Sequence, residues 1–370
     1  MLQQSKRIIL SGGGTGGHIF PAIAIADALK RRLPDAAIHF VGANGRMEMD
    51  RVPKAGYTID GLWISGLQRR LTKDNILFPL KVIVSLFKAR KILKKFKPDI
   101  VIGVGGYASG PTLQAAIKLG IPTLIQEQNS FPGITNRLLA KKVNKICAAY
   151  NQMEKWFPAE KTVLTGNPLR KTAVEVDGKE KEAKAFFSLD QQLPVVLVVG
   201  GSQGALAINK AISAHIQLFE KHRIQLVWQC GKGYYQEAKT LIEAANLADL
   251  VKVIPFIDRM DLAYAVADLV VSRAGAMAIA ELAVVRKAVI FVPLPTAAED
   301  HQTKNAMRLV AKGAAVVVRN EEANQVLVEQ VIGLLADRIS MQKMATAIGA
   351  FALPNADEAI VDEIVKIIKA

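Results

Sequence analysis

The apolar run Ile8-Ile9-Leu10 ends in five glycines within seven residues, Ser11-Gly12-Gly13-Gly14-Thr15-Gly16-Gly17. His18 follows, and apolar residues then recur at helical spacing at Ile19, Ala22, Ile23, Ala26 and Leu29. This is the pattern of a strand, a tight turn and a helix N-terminus. Glycine admits positive φ and lets a ligand approach the main chain closely. The unpaired N–H groups at the start of the helix favour an anion such as a phosphate or diphosphate. The same unit recurs mid-chain, where Val195-Val196-Leu197-Val198-Val199 runs into Gly200-Gly201-Ser202-Gln203-Gly204 and a helix from Ala205. Such a chain is expected to form parallel strands with helices on both faces, twice over.

The intervening sequence keeps that alternation. Strand-like runs fall at 7–10, 38–41, 100–104, 123–126, 145–148 and 162–164, with helical stretches such as 21–31 and 111–118 between them. A second set follows at 195–199, 225–229, 251–254, 269–272, 289–292 and 315–318. The break is expected between Gly166-Asn167-Pro168-Leu169-Arg170 and the charged stretch 176–184. A length of 370 residues suits two domains, and 51% hydrophobic residues suffice for two cores. With only Cys147 and Cys230, no disulfide framework is expected, which fits a reducing cytosol. Residues 1–7 show no long apolar run or cleavage site, so no export signal is expected. The most apolar region, 262–298, is interrupted by Asp268, Arg273, Glu281, Arg286 and Lys287, so no membrane span is expected.

Gly12, Gly14 and Gly17 satisfy G-x-G-x-x-G, but the dinucleotide reading also needs an acid at the end of the next strand. That strand runs into Gly42-Ala43-Asn44. No Gly-Lys-Ser/Thr closes a Walker loop either. Gly200-x-Ser202-x-Gly204 fits a hydrolase elbow, with Asp268 or Asp300 and then His301 as partners. Two glycine loops on two sheets argue against that fold. Two further loops, Gly103 to Pro111 and Arg273 to Glu281, also follow strands and open helices. Open α/β sheets bind ligands at the carboxyl ends of their strands, so the expected site is a cleft between the two sheets. In such a cleft Glu281 is either an acceptor for sugar hydroxyls or an ordinary surface residue. His18 is either a general base, since imidazole titrates near neutrality, or a helix-start packing residue.

The net charge of +15 is concentrated. Residues 69–97 hold ten Lys or Arg against one acid, Asp74. Val82, Leu86, Ala89, Leu93 and Phe96 share one helical stripe there, and Lys81, Lys88 and Lys95 another. The apolar stripe is expected to pack on a sheet. The charge excess and the flanking Ile76-Leu77-Phe78-Pro79-Leu80 point to an anionic membrane surface. No nucleic-acid motif accompanies the charge, and aromatics are few, so no nucleic-acid partner is expected.

The motifs Gly13-Gly14-Thr15-Gly16-Gly17-His18, Gly105-Gly106-Tyr107, Glu127-Gln128-Asn129 and Pro132-Gly133-x-Thr135-Asn136 occur in order. Gly166-Asn167-Pro168-x-Arg170, Gly200-Gly201-Ser202-Gln203-Gly204-Ala205 and Asp300-His301-Gln302-x-x-Asn305-Ala306 complete the series. Together they resemble the MurG family of bacterial glycosyltransferases, in glycosyltransferase family 28. Another glycosyltransferase of the same fold or a UDP-N-acetylglucosamine 2-epimerase would share the second-half loops but not Glu127-Gln128-Asn129 with Pro132-Gly133, and a non-catalytic nucleotide-sugar binder would bind UDP-N-acetylglucosamine without transferring it.

The resemblance implies a GT-B fold of two Rossmann-like doubly wound domains, residues 1–165 and 166–352. A last helix, entered through Leu353-Pro354-Asn355, packs back on the first domain (353–370). It implies transfer of N-acetylglucosamine from UDP-N-acetylglucosamine to lipid I at the cytosolic face of the bacterial inner membrane. The β-1,4 bond of lipid II forms with inversion and without a cofactor. By motif, His18 is the base. Ser202 receives the diphosphate, Ile257 meets the uracil through its backbone, and Ala276, Met277, Ala278, Ile279, Ala280 and Glu281 line the donor with Glu281 on the ribose. Gln302 reaches the sugar, and Thr15, Gly16, Gly17, Asn129 and Arg170 complete the site. Gly105, Gly106, Tyr107 and Glu127 are assigned to the acceptor. No Asp-x-Asp metal handle is present, so helix N-termini and Arg170 are expected to stabilise the leaving UDP instead. Contacts with other cell-wall and division proteins stay open. In one departure, Arg286 and Ala288 stand where the family usually has Gly and Pro.

Overall fold

The computed structural model describes residues 5–66, 77–201, 203–297 and 300–369. The chain divides into two compact units, Met1–Arg170 with Pro354–Ala370, and Lys171–Leu353.

Unit 1 runs β1 (Arg7–Ser11), α1 (Gly16–Arg32), β2 (Ala37–Ala43), α2 (Glu48–Lys54), β3 (Thr58–Leu62), α3 (Phe78–Phe96), β4 (Ile100–Gly103), α4 (Ser109–Lys118), β5 (Thr123–Glu127), α5 (Ile134–Leu139), β6 (Lys145–Ala148) and β7 (Thr162–Leu164). Its seven strands pair in the order β3-β2-β1-β4-β5-β6-β7, all in parallel. Unit 2 runs α6 (Lys171–Val174), α7 (Glu180–Phe186), β8 (Val195–Val199), α8 (Leu206–Ala214), α9 (Ile216–Lys221), β9 (Gln225–Gln229), α10 (Tyr235–Ala244), β10 (Val251–Ile254), α11 (Met260–Val266) and β11 (Leu269–Ser272). It continues through α12 (Ala276–Val285), β12 (Ala288–Phe291), α13 (His301–Val310), β13 (Val316–Val317), α14 (Ala323–Ala336) and α15 (Arg338–Gly349). Its sheet order is β10-β9-β8-β11-β12-β13, again parallel. In each unit the order reverses beside the strand that feeds a glycine loop, β1 or β8. That is where a doubly wound sheet opens a crevice at its carboxyl edge.

Because both faces of these sheets are covered, the central strands are apolar throughout: Ile8, Ile9, Leu10 and Val195 to Val198 are fully buried. The helix α16 (Ala356–Lys369) seats Ile360, Val361 and Ile364 in the unit 1 core. Arg31 of α1 clamps it through Asp357 and Glu358.

One strand, β3, escapes the sequence reading. Its sequence Thr-Ile-Asp-Gly-Leu does not alternate cleanly, and it lies at the sheet edge. There His39 of β2 bridges Thr58 and Asp60 at 2.7 and 3.0 Å.

Arg286 also gains an explanation. It follows the last residue of α12 in the left-handed conformation (φ 51°, ψ 50°), the position glycine usually holds after a helix. Its side chain lies against Gly349. Arg286→Gly relieves left-handed strain of about 1–2 kcal/mol, which the added freedom of an unfolded glycine partly offsets. A rise of about 2 °C in melting temperature with unchanged turnover is expected in a thermal melt.

Candidate active site

Unit 1 brings the loops after β1, β2, β4 and β5 to one edge of its sheet, and they interlock because they lack side chains. A Cβ on Gly12 would lie 2.2 Å from Val104 Cγ2, and one on Gly106 2.1 Å from the Gly13 carbonyl oxygen. His18, in the first turn of α1, shares Nδ1 with Thr15 Oγ1 at 3.2 Å. Its ring covers Gly105, where a Cβ would stand 2.9 Å from Cδ2 and 3.0 Å from Nε2. Gly105 is therefore glycine for two reasons, that approach and its own φ of +87°. Gly16 and Gly17 begin α1 beside Thr15. The Tyr107 ring is 46% exposed and lies against Gly14 and Gly66. Arg170 places its guanidinium 4.6 Å from the centre of the Phe20 ring, bringing the end of the unit to α1.

Glu127 turns away from open space. Its carboxylate is 1% exposed and accepts Asn129 N and Nδ2 on one oxygen (2.9 and 3.3 Å) and Gly133 N and Asn136 Nδ2 on the other (3.1 and 2.8 Å). Burial pushes this carboxyl upward in pKa, and the four donors pull the other way. It shapes the loop that presents Asn129. Sequence reasoning missed a second such carboxylate, Glu48, which reaches the first glycine loop from α2. The acid absent at the end of β2 lies five residues further on.

Unit 2 repeats the arrangement on its own edge. Gly204 and Gly231 pack backbone to backbone, since a Cβ on Gly204 would meet the Cys230 carbonyl oxygen at 2.1 Å. Ser202 lies outside the described residues. Gln229, at the end of β9, donates through Nε2 to the Gly201 carbonyl (3.0 Å) and accepts the Ile257 N–H on Oε1 (2.9 Å). The Ile257 N–H is thus engaged within the protein. The bidentate Arg259 guanidinium, with Lys179 beside it, holds the Asp261 carboxyl well below the usual carboxylate range. This network fixes the start of α11, directly after the loop that carries Ile257. Arg273 Nη1 donates to the Val292 and Pro293 carbonyls and to Asn320 Oδ1 at 2.9, 3.0 and 2.9 Å. Burial pushes its pKa down to about 10.

Of the stretch 276–281 that the resemblance assigns to the donor, Ala276 and Ile279 are buried, Ile279 within the core, so that residue can reach a ligand only through its main chain. Met277, Ala278, Ala280 and Glu281 are half-buried. Glu281 Oε2 accepts the Tyr264 hydroxyl at 2.7 Å, and Gln302 Oε1 accepts Leu294 N at 2.9 Å.

The basic segment differs from its sequence reading in one respect. Lys81 of the lysine row is buried: its Nζ donates to Ser65 Oγ at 3.1 Å, above the Trp63 ring. Lys88 is tied to the Gly61 carbonyl at 2.7 Å. On another side of α3, Leu80, Ile83, Val84 and Phe87 form an exposed apolar row, with Phe87 70% exposed. Residues 69–76, including Ile76, lie outside the described set. Unit 1 holds 28 of the 48 Lys and Arg but 14 of the 33 Asp and Glu, a net +14 against +1 for unit 2. Among the described residues no helix is long and apolar enough to cross a membrane.

Residues 8–148 match the glycosyltransferase family 28 N-terminal domain and residues 195–360 its C-terminal domain. A UDP-N-acetylglucosamine--N-acetylmuramyl-(pentapeptide) pyrophosphoryl-undecaprenol N-acetylglucosamine transferase of Christiangramia forsetii is 52% identical over 99% of each chain. The Flavobacterium psychrophilum protein of the same name is 50% identical over the same share of each. The crystal structure of Acinetobacter baumannii MurG superposes with a TM-score of 0.75 at 31% identity, over 98% of this chain and 99% of that one. A Neisseria meningitidis UDP-GlcNAc 2-epimerase bound to UDP-GlcNAc, at 16% identity and a TM-score of 0.69 over 98% of this chain and all of its own, shares the fold alone. With both domains matched in order and full-length relatives sharing half its residues, the chain belongs to the MurG group of glycosyltransferase family 28.

Proposed function

We infer that the chain transfers N-acetylglucosamine from UDP-N-acetylglucosamine to lipid I, the undecaprenyl-diphosphate-linked N-acetylmuramoyl peptide, and so makes lipid II for peptidoglycan. The observation that carries this reading is end-to-end identity of about half with relatives named for that reaction. The loops of unit 2 take the donor and those of unit 1 the acceptor. His18 Nε2 removes the proton from the acceptor hydroxyl as its oxygen bonds to C1 of the sugar. The bond from C1 to the UDP oxygen breaks with its electron pair on UDP, which inverts the α-linked donor to a β-1,4 product. Thr15 Oγ1 accepts the Nδ1 proton in the tautomer that leaves Nε2 basic. Main-chain N–H groups at the starts of α8 and α12, with Arg170, meet the charge growing on the diphosphate. Incubating the protein with labelled UDP-N-acetylglucosamine and lipid I tests the reading. Labelled lipid II is expected, and a folded protein giving none overturns it.

The enzyme rests on the cytosolic face of the bacterial inner membrane through unit 1. The exposed row on α3, the cations around it and the +14 charge of this unit support that placement. Burying a phenylalanine contributes roughly 1.5–3 kcal/mol. Phe87→Glu is therefore expected to weaken binding to phosphatidylglycerol vesicles at least roughly tenfold, while transfer to a short-chain, water-soluble acceptor persists. Equal sedimentation of both proteins with the vesicles would remove this contact.

A further inference from the structure

The first glycine loop already holds an anion of its own. The Glu48 carboxylate, 1% exposed, accepts the Gly14 N–H on both oxygens (3.2 and 3.0 Å) and the Ala43 N–H on Oε1 (2.9 Å). Three backbone positions are shaped around it. A Cβ on Gly13 would stand 2.0 Å from Oε1. A Cβ on Gly42 would stand 2.5 Å from Glu48 Cγ, and Gly42 lies outside the left-handed region, so packing against the Glu48 stem and the Ile59 methyl accounts for its lack of a side chain. Ala43, the last residue of β2, supplies the third contact. The Gly14 N–H, which the sequence pattern offers to a phosphate, is thus satisfied from within. Further along, the His18 and Ile19 N–H groups turn back to the Thr15 carbonyl at 3.1 and 3.2 Å.

We propose that Glu48 is a positioning residue for sugar transfer: it locks the turn at Gly13 and Gly14, and so sets Thr15 and, through Thr15, the ring of His18. This rests on the reading of His18 as the base. Glu48 is bonded to Gly14, the residue before Thr15, and Thr15 holds His18 Nδ1. A carboxylate suits the task because two N–H groups converge on it, Gly14 from the loop after β1 and Ala43 from the end of β2.

Steady-state kinetics with lipid I, paired with calorimetric titration of UDP-N-acetylglucosamine, tests the proposal. Wild-type turnover in the same assay decides the reaction itself, and ratios to it decide the role of Glu48. Glu48→Ala is expected to lower kcat about 30-fold or more, with donor Kd and stoichiometry within twofold of wild type. Glu48→Gln keeps one oxygen for both N–H groups and is expected to recover to within about fivefold. Gly42→Ala pushes against the Glu48 stem and should lower kcat alone, yet cost less than twofold when added to Glu48→Ala, because coupled residues do not add. If Glu48→Ala does not fold, Glu48→Gln and Gly42→Ala carry the same comparison. A kcat for Glu48→Ala within threefold of wild type, or full additivity with Gly42→Ala, would overturn the proposal.

Discussion

His18→Ala is expected to lower kcat for lipid II formation by about two to four orders of magnitude, the usual worth of a positioned general base. Donor affinity, read by calorimetric titration, should stay within twofold, because the donor is assigned to the loops of unit 2. Two features of unit 1 make the expectation specific. The ring is held at Nδ1 by Thr15, and its other edge lies over Gly105, a position where any side chain would collide with Cδ2 and Nε2. Thr15→Val keeps the size and removes the acceptor, so it should cost about tenfold in kcat through the lost tautomer preference. Equal losses in kcat and in donor affinity would make His18 a binding residue instead.

Much of this architecture is legible in the sequence because the central strands are buried on both faces and read as unbroken apolar runs, as at Val195 to Val199. Glycine loops announce the carboxyl edge for the same reason: positive φ at Gly105, Gly201 and Gly204 has few other solutions. An edge strand with a polar face does not announce itself, and β3 was invisible for that reason. The residues that hold the loops in place are equally hard to see. Glu48 meets Gly14 across 34 positions, Gln229 reaches Gly201 and Ile257 each 28 positions away, and Arg273 meets Asn320 across 47. No local pattern encodes such meetings; they arise from the order of strands in the sheet. The lysine row of α3 shows the converse failure. Spacing of seven puts Lys81, Lys88 and Lys95 on one stripe, but Lys81 is buried against the Trp63 ring and Ser65, in a loop that the periodicity of its own helix does not describe.

Glu127→Gln should damage the protein nearly as much as Glu127→Ala, although glutamine has almost the same shape. Each carboxylate oxygen faces a main-chain donor that cannot turn away, Asn129 N on one and Gly133 N on the other. An amide must direct its NH2 at one of them, leaving that donor unpaired in a site only 1% exposed. Alanine leaves both unpaired and removes the shorter of the two Asn136 Nδ2 bonds as well. An orphaned buried donor costs about 1–3 kcal/mol, so a loss of roughly 3–5 kcal/mol is expected for alanine and about 2–4 kcal/mol for glutamine. Scanning calorimetry should register a fall of about 10 °C in the melting of unit 1 for alanine. Titration of UDP-N-acetylglucosamine should show the donor site of unit 2 intact. Acceptor use should fall further than stability does, because the same carboxylate positions Asn129, and kcat/KM for lipid I at 20 °C, where the variant remains folded, isolates that part. A Glu127→Gln protein that melts within 2 °C of wild type would mean that one oxygen suffices and that the second pair of donors finds water instead.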